Sequence, residues 1–135
     1  MTPIRDAKPQ HARIHLRRAD EYLGAASDSL AAGRYDAATS DAVVAAIRAA
    51  DAICAVRLRQ RWSSADHSGA VDLLGRADPD GQVAAPLLNE LMPLKSKAQY
   101  GLGEFGYDEA TATVELAARL LQMARAAVQS LPPSP

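Results

Sequence analysis

The stretch AATSDAVVAAIRAADAICAV, residues 37–56, constrains the fold of this chain more than any other. It is rich in alanine, the best helix former, and it spaces Val43, Ile47, Ala50 and Cys54, with Leu58 following, at three- and four-residue steps. That repeat lines one face of a helix. The many small side chains beside the face let a neighbouring helix approach closely. Runs of Val, Ile, Thr and aromatic residues are missing elsewhere, and aromatics make up only 4% of the chain. The expectation is therefore an all-α fold.

The remaining segments follow the same period. Leu16, Ala19, Leu23, Ala26 and Leu30 mark a first helix, with Gly33 as its stop. The alanine-rich helix starts near Asp36 and should end near Trp62, where SSADHSG offers capping side chains and a glycine. A short helix is expected over Ala70 to Leu74, and GRADPDGQ reads as an exposed loop. Helix should resume around Pro86, with Pro93 kinking or restarting it, and end at GLGEFGY. GLGEFG is no phosphate-binding fingerprint, since it follows a helix and the fingerprint follows a strand. Asp108 is the expected N-cap of a last helix carrying Val114, Ala117, Leu121, Ala124 and Val128 on one face. Together these give an up-and-down bundle of four to five helices with a short helix in the central connection. One domain is expected over residues 11–131, between a frayed N-terminus (1–10) and a flexible tail (132–135).

A chain of 135 residues can bury a core without disulfides or a structural metal. Cys54 is its single cysteine, which excludes an intrachain disulfide and the paired-cysteine zinc spacings, and its apolar neighbours predict a buried, inert thiol. No segment has the length and apolarity of a signal peptide or a membrane span, so a cytoplasmic protein with no membrane contact is expected. No cofactor motif is present. The net charge of −1 argues against a nucleic-acid-condensing protein, yet the charge is uneven. Arg5, Lys8, Arg13, Arg17 and Arg18 face only Asp6 in the first eighteen residues, and Arg57, Arg59 and Arg61 form a second basic group. His11 and His15, four apart, would share a helix face, but no third ligand stands near them in sequence, so a solvated turn and no metal site is expected. Arg48 and Asp51 are three apart beside an apolar face. They should either pair with one another, with Asp41 able to join, or leave Arg48 to bind phosphate in a cleft.

GRYDAATSDAVVAAIRAADAICAV resembles the first core hairpin of HEPN domains, helical bundles of prokaryotes and higher eukaryotes first described as nucleotide-binding. ADHSGAVDLL is similar to the loop and short helix that follow, and LKSKAQYGLGEFGYDEATATVELAARLLQMARAAV to the closing helix pair, so that the resemblance spans residues 15 to 131. It implies a bacterial homodimer with its functional residues in a cleft near the interface. Many members are metal-independent endoribonucleases, often toxins paired with a nucleotidyltransferase-like antitoxin. Their motif is an arginine, four to six residues, then a histidine, on the helix corresponding to residues 94–103.

LKSKAQYG stands at that place, with Lys95 and Gln99 where an arginine and an acid or histidine are common. Lysine binds phosphate as a point charge, without the fork of arginine, and glutamine cannot exchange a proton near neutral pH. The leading expectation is thus a non-catalytic, homodimeric module that binds RNA, a nucleotide or a protein partner through Arg48, Lys95, Lys97 and Tyr100. An endoribonuclease toxin using Arg61 and His67 is the alternative, since these supply the right residue types with five residues between them. A purely structural helical subunit is the third.

Overall fold

The alanine-rich helix is the axis of the molecule. The computed structural model describes residues 3–64, 69–101 and 104–133, with Gln99 and Tyr100 described in backbone only. Helix α1 (Ala12–Ala31) and helix α2 (Tyr35–Leu58) form a hairpin closed at Gly33, whose φ of 78° suits glycine. A short strand, β2 (Gln60–Trp62), and a short helix, α3 (Ala70–Gly75), lead to α4 (Gly81–Tyr100) and α5 (Tyr107–Gln129). Helices α1, α4 and α5 all pack on α2. Accordingly α2 is buried nearly all round, through Ala42, Val43, Ala45, Ala49, Ala52 and Ile53, rather than on the single stripe its spacing suggests. Ile47 and Leu58 from that stripe are only half-buried.

The helix–helix contacts are set by alanines seven residues apart. Ala12, Ala19 and Ala26 of α1 are fully buried, as are Ala110, Ala117 and Ala124 of α5. Seven residues are about two turns, so each set is a narrow stripe along its helix. Leu73, Leu74, Leu88, Leu91, Leu120 and Leu121 fill the remaining core. Among the described residues there are five helices, as the all-α expectation requires, with α3 in the central connection.

The departures lie at the ends of elements. Residues 4–6, expected to fray, form strand β1 (Ile4–Asp6), antiparallel to β2 with Ile4 opposite Trp62 and Arg5 opposite Arg61. The Ser63 N–H and hydroxyl donate to the Pro3 carbonyl at 2.8 and 2.7 Å. Strands this short carry no period of their own, and the partner lies more than fifty residues away, which is why neither was expected. Near the other terminus, Arg13 donates to the Pro132 carbonyl at 2.8 Å.

Helix α2 stops at Leu58, short of Trp62, because Arg59 adopts a left-handed conformation (φ 54°) that ends the helical ladder. Helix α4 starts five residues before Pro86. Gly81 permits this early start, because a Cβ there would stand 2.7 Å from the Leu74 carbonyl oxygen and 2.6 Å from that of Gly75. Pro93 lies inside α4, which continues through it without restarting. Gly106, not Asp108, is the N-cap of α5, and Asp108 and Glu109 sit in its first turn, where carboxylates favour the helix dipole. The Asp36 carboxylate accepts the Phe105 N–H at 2.9 Å, fixing the α4–α5 connection to the start of α2. At the other end of α2, Arg57 binds Asp80 at 2.8 Å.

Candidate functional site

Helix α1, the second half of α2 and strand β2 converge on one group of ionisable side chains. His15 stands between Ala12 and Ala19 on the buried stripe of α1 and is 6% exposed, so it is an interior residue and not part of a solvated turn. Its Nδ1 is buried without a hydrogen-bond partner. Burial, reinforced by the charges of Arg61, Arg48, Arg18 and His11 in that order, pushes its imidazole down to about 4. It is therefore neutral at physiological pH.

Asp51 projects from α2 into the same region and is buried. Burial lifts its carboxyl to about 6, against the opposing pull of Arg61 and then Arg48. Among the described residues no ion pair joins Arg48 to Asp51, and Arg61 outweighs Arg48 in its effect on the carboxyl. The expected local pair is thus replaced by a cluster in which two arginines share one carboxylate at longer range. A partly exposed arginine beside a carboxylate that lacks a close cation retains capacity for a second anion.

Arg61 completes the group from β2, where its backbone is held by β1 and its Nε is buried without a partner. A guanidinium Nε–H enclosed and unpaired is costly unless a further acceptor arrives. Next to it in sequence, Trp62 turns to the core with Ile4 and closes onto the backbone of Gly69, where a Cβ would overlap its indole. Trp62 thus anchors β2. A cavity of about 10 Å³ is lined by Asp51, Cys54, Trp62 and Leu88 among others. It has room for about one water molecule and none for a ligand. Cys54 is buried there, and burial followed by the Asp51 charge pushes its thiol up to about 12, which makes it inert as a nucleophile.

The other expected residues fall elsewhere. Lys97 pairs with Glu109 at 3.2 Å and lies over the Phe105 ring at 4.4 Å. That places it near Asp36 at the start of α2, roughly 18 Å along the helix axis from Arg48 in the middle of α2, at 1.5 Å per residue. Lys95 is half-buried near the same end of α4. Tyr100 ends α4, and its side chain lies outside the described residues, as does His67 altogether. Arg48 and Arg61 are therefore brought together, whereas Lys97 is not added to them. Arg17 faces Glu21 at 3.6 Å in an exposed pair, so of the α1 arginines only Arg18 acts on the cluster. Among the described residues no group of histidine, cysteine and carboxylate side chains could hold a metal ion. No described helix is long and apolar enough to cross a membrane.

Residues 12–127 match the family model for the HEPN domain. The chain belongs to the HEPN domain family. The match covers all five helices of this HEPN domain except the last residues of α5 and leaves β1 outside it. A comparison with curated proteins gave no match.

Proposed function

We propose that this HEPN domain is a non-catalytic binding module that takes a phosphate-bearing ligand, an RNA segment or a nucleotide, at the cluster of His15, Arg18, Arg48 and Arg61. The observation that supports it most is the pair of buried, unpartnered donors and acceptors, Arg61 Nε and His15 Nδ1, beside arginines that outnumber the single carboxylate. A phosphate oxygen would satisfy the Arg61 Nε–H and add charge-assisted bonds from Arg48. Binding is favoured over cleavage because cleavage needs an acid for the leaving oxygen as well as a base for the 2′-hydroxyl. His15, at about 4, has almost no proton to donate at pH 7. A homodimer, and a nucleotidyltransferase-like protein as partner, belong to the same proposal through the family.

The test is a fluorescence-anisotropy titration of labelled single-stranded RNA and of a labelled nucleotide, run on the wild type, Arg48→Ala and Arg61→Ala, with melting temperatures beside each. The expected loss is about tenfold or more per arginine, from about 1.5–3 kcal/mol per charged hydrogen bond, with melting temperatures near the wild type. Equal binding by all three proteins overturns the assignment. RNA cut in EDTA by the wild type, and left whole by Arg61→Ala and by His67→Ala, would replace it with the endoribonuclease reading.

A further inference from the structure

A second cleft lies on the far side of Arg59, between the N-terminal segment and the end of α2. It encloses about 410 Å³ and is lined by Asp6, Ala7, Lys8, Pro9, His11 and Arg59, within the roughly 300–1,000 Å³ typical of small-molecule sites. Lys8, Arg59 and His11 are exposed at its rim, with Asp6 as the counter-charge. Among the described residues, neither Lys8 nor Arg59 forms an ion pair. Their positive charges are therefore left to whatever enters the cleft.

Arg59 is also the one non-glycine among the described residues with a positive φ. Its backbone work there, ending α2 and accepting the Ala7 N–H at 2.9 Å, uses only the carbonyl and the left-handed turn. Glycine would do both without strain. What arginine adds at this position is an exposed guanidinium on a residue that lines the cleft together with Lys8. Ala7 and Pro9 give the floor an apolar face.

We infer that this cleft binds a small phosphomonoester, with the phosphate between Arg59 and Lys8 and a compact apolar body against Ala7 and Pro9. Arginine supplies the fork for two phosphate oxygens and lysine a point charge, and the volume limits the ligand to a small molecule. Neither Arg59 nor Lys8 belongs to the cluster around His15 and Arg61, although His11 on the rim of the cleft also acts on His15, and the inference stands whether or not that cluster binds RNA.

Isothermal titration with phenyl phosphate and with inorganic phosphate, on the wild type, Lys8→Gln and Arg59→Gly, tests it. Phenyl phosphate should bind the wild type more tightly than inorganic phosphate. Arg59→Gly should lose at least tenfold in affinity while its ligand-free melting temperature stays level or rises, an outcome that a merely structural arginine could not give. Wild-type affinity in Arg59→Gly overturns the inference, and so does a loss of affinity that comes with a fall in melting temperature. Equal affinity for the two probes overturns the apolar floor, and loss in Arg61→Ala with Arg59→Gly unchanged would move the phosphate to the other cluster.

Discussion

The pKa values of His15 and Asp51 are shifted in opposite directions within one buried cluster, and each shift ties stability to pH. His15 falls from 6.5 to about 4 on folding. Between those values the unfolded chain binds the extra proton, so this residue adds stability as pH rises from 4 to 6.5. Asp51 rises from 3.8 to about 6. There the folded chain binds the extra proton, so stability is lost as pH rises from 4 to 6 and stays lost above. Each contribution is on the order of 3 kcal/mol at about 1.4 kcal/mol per pKa unit. The two nearly cancel between pH 4 and 6. Urea unfolding across that range should therefore show the wild type losing ground to Asp51→Asn as pH rises, and losing ground to His15→Gln as pH falls. Parallel profiles for wild type and variants would contradict the burial of these groups. Arg48 and Arg61 were legible in the sequence as unusual arginines, one beside an apolar face and one in a basic run. His15 was not, although Ala12, His15 and Ala19 share the spacing of one helix face, because an N-terminal turn with arginines on either side reads as solvated.

At the scale of elements, the alanine stripes decide the packing. Ala19 in the middle of α1 is fully enclosed, and no space is left for three more carbons at that contact. Ala19→Leu should lower stability by about 1–3 kcal/mol, the usual cost of overpacking, read as a drop in the urea midpoint with an unchanged slope. A midpoint at the wild-type value would contradict the close packing of α1 at Ala19. The helices themselves were legible because a 3.6-residue period persists over many turns. Their ends were not, since one left-handed residue closes α2 and one close approach at Gly81 opens α4. Neither Arg59 nor Pro86 announces this, as arginine is not a usual helix stop and proline is tolerated most readily in a first turn.

Across the whole molecule, the candidate site exists only because three distant segments meet. β1 pins β2, β2 presents Arg61, and the α1–α2 hairpin brings His15 and Arg48 beneath it. The family resemblance pointed to the helix at residues 94–103, whereas the buried charge converges between α1, the second half of α2 and β2. No single stretch of sequence contained that arrangement, because it depends on a two-stranded ladder joining residues more than fifty apart. The net charge of −1 likewise hid a local excess of arginine. His15 provides a built-in reporter for the central claim, since a phosphate bound beside it would favour the imidazolium and raise its pKa. The most direct measurement is an NMR pH titration of the histidine side chains, with and without saturating single-stranded RNA or nucleotide. The account predicts one histidine titrating near 4 in the free protein and moving clearly upward with ligand; a His15 that stays near 4 with either ligand would contradict a phosphate site at this cluster.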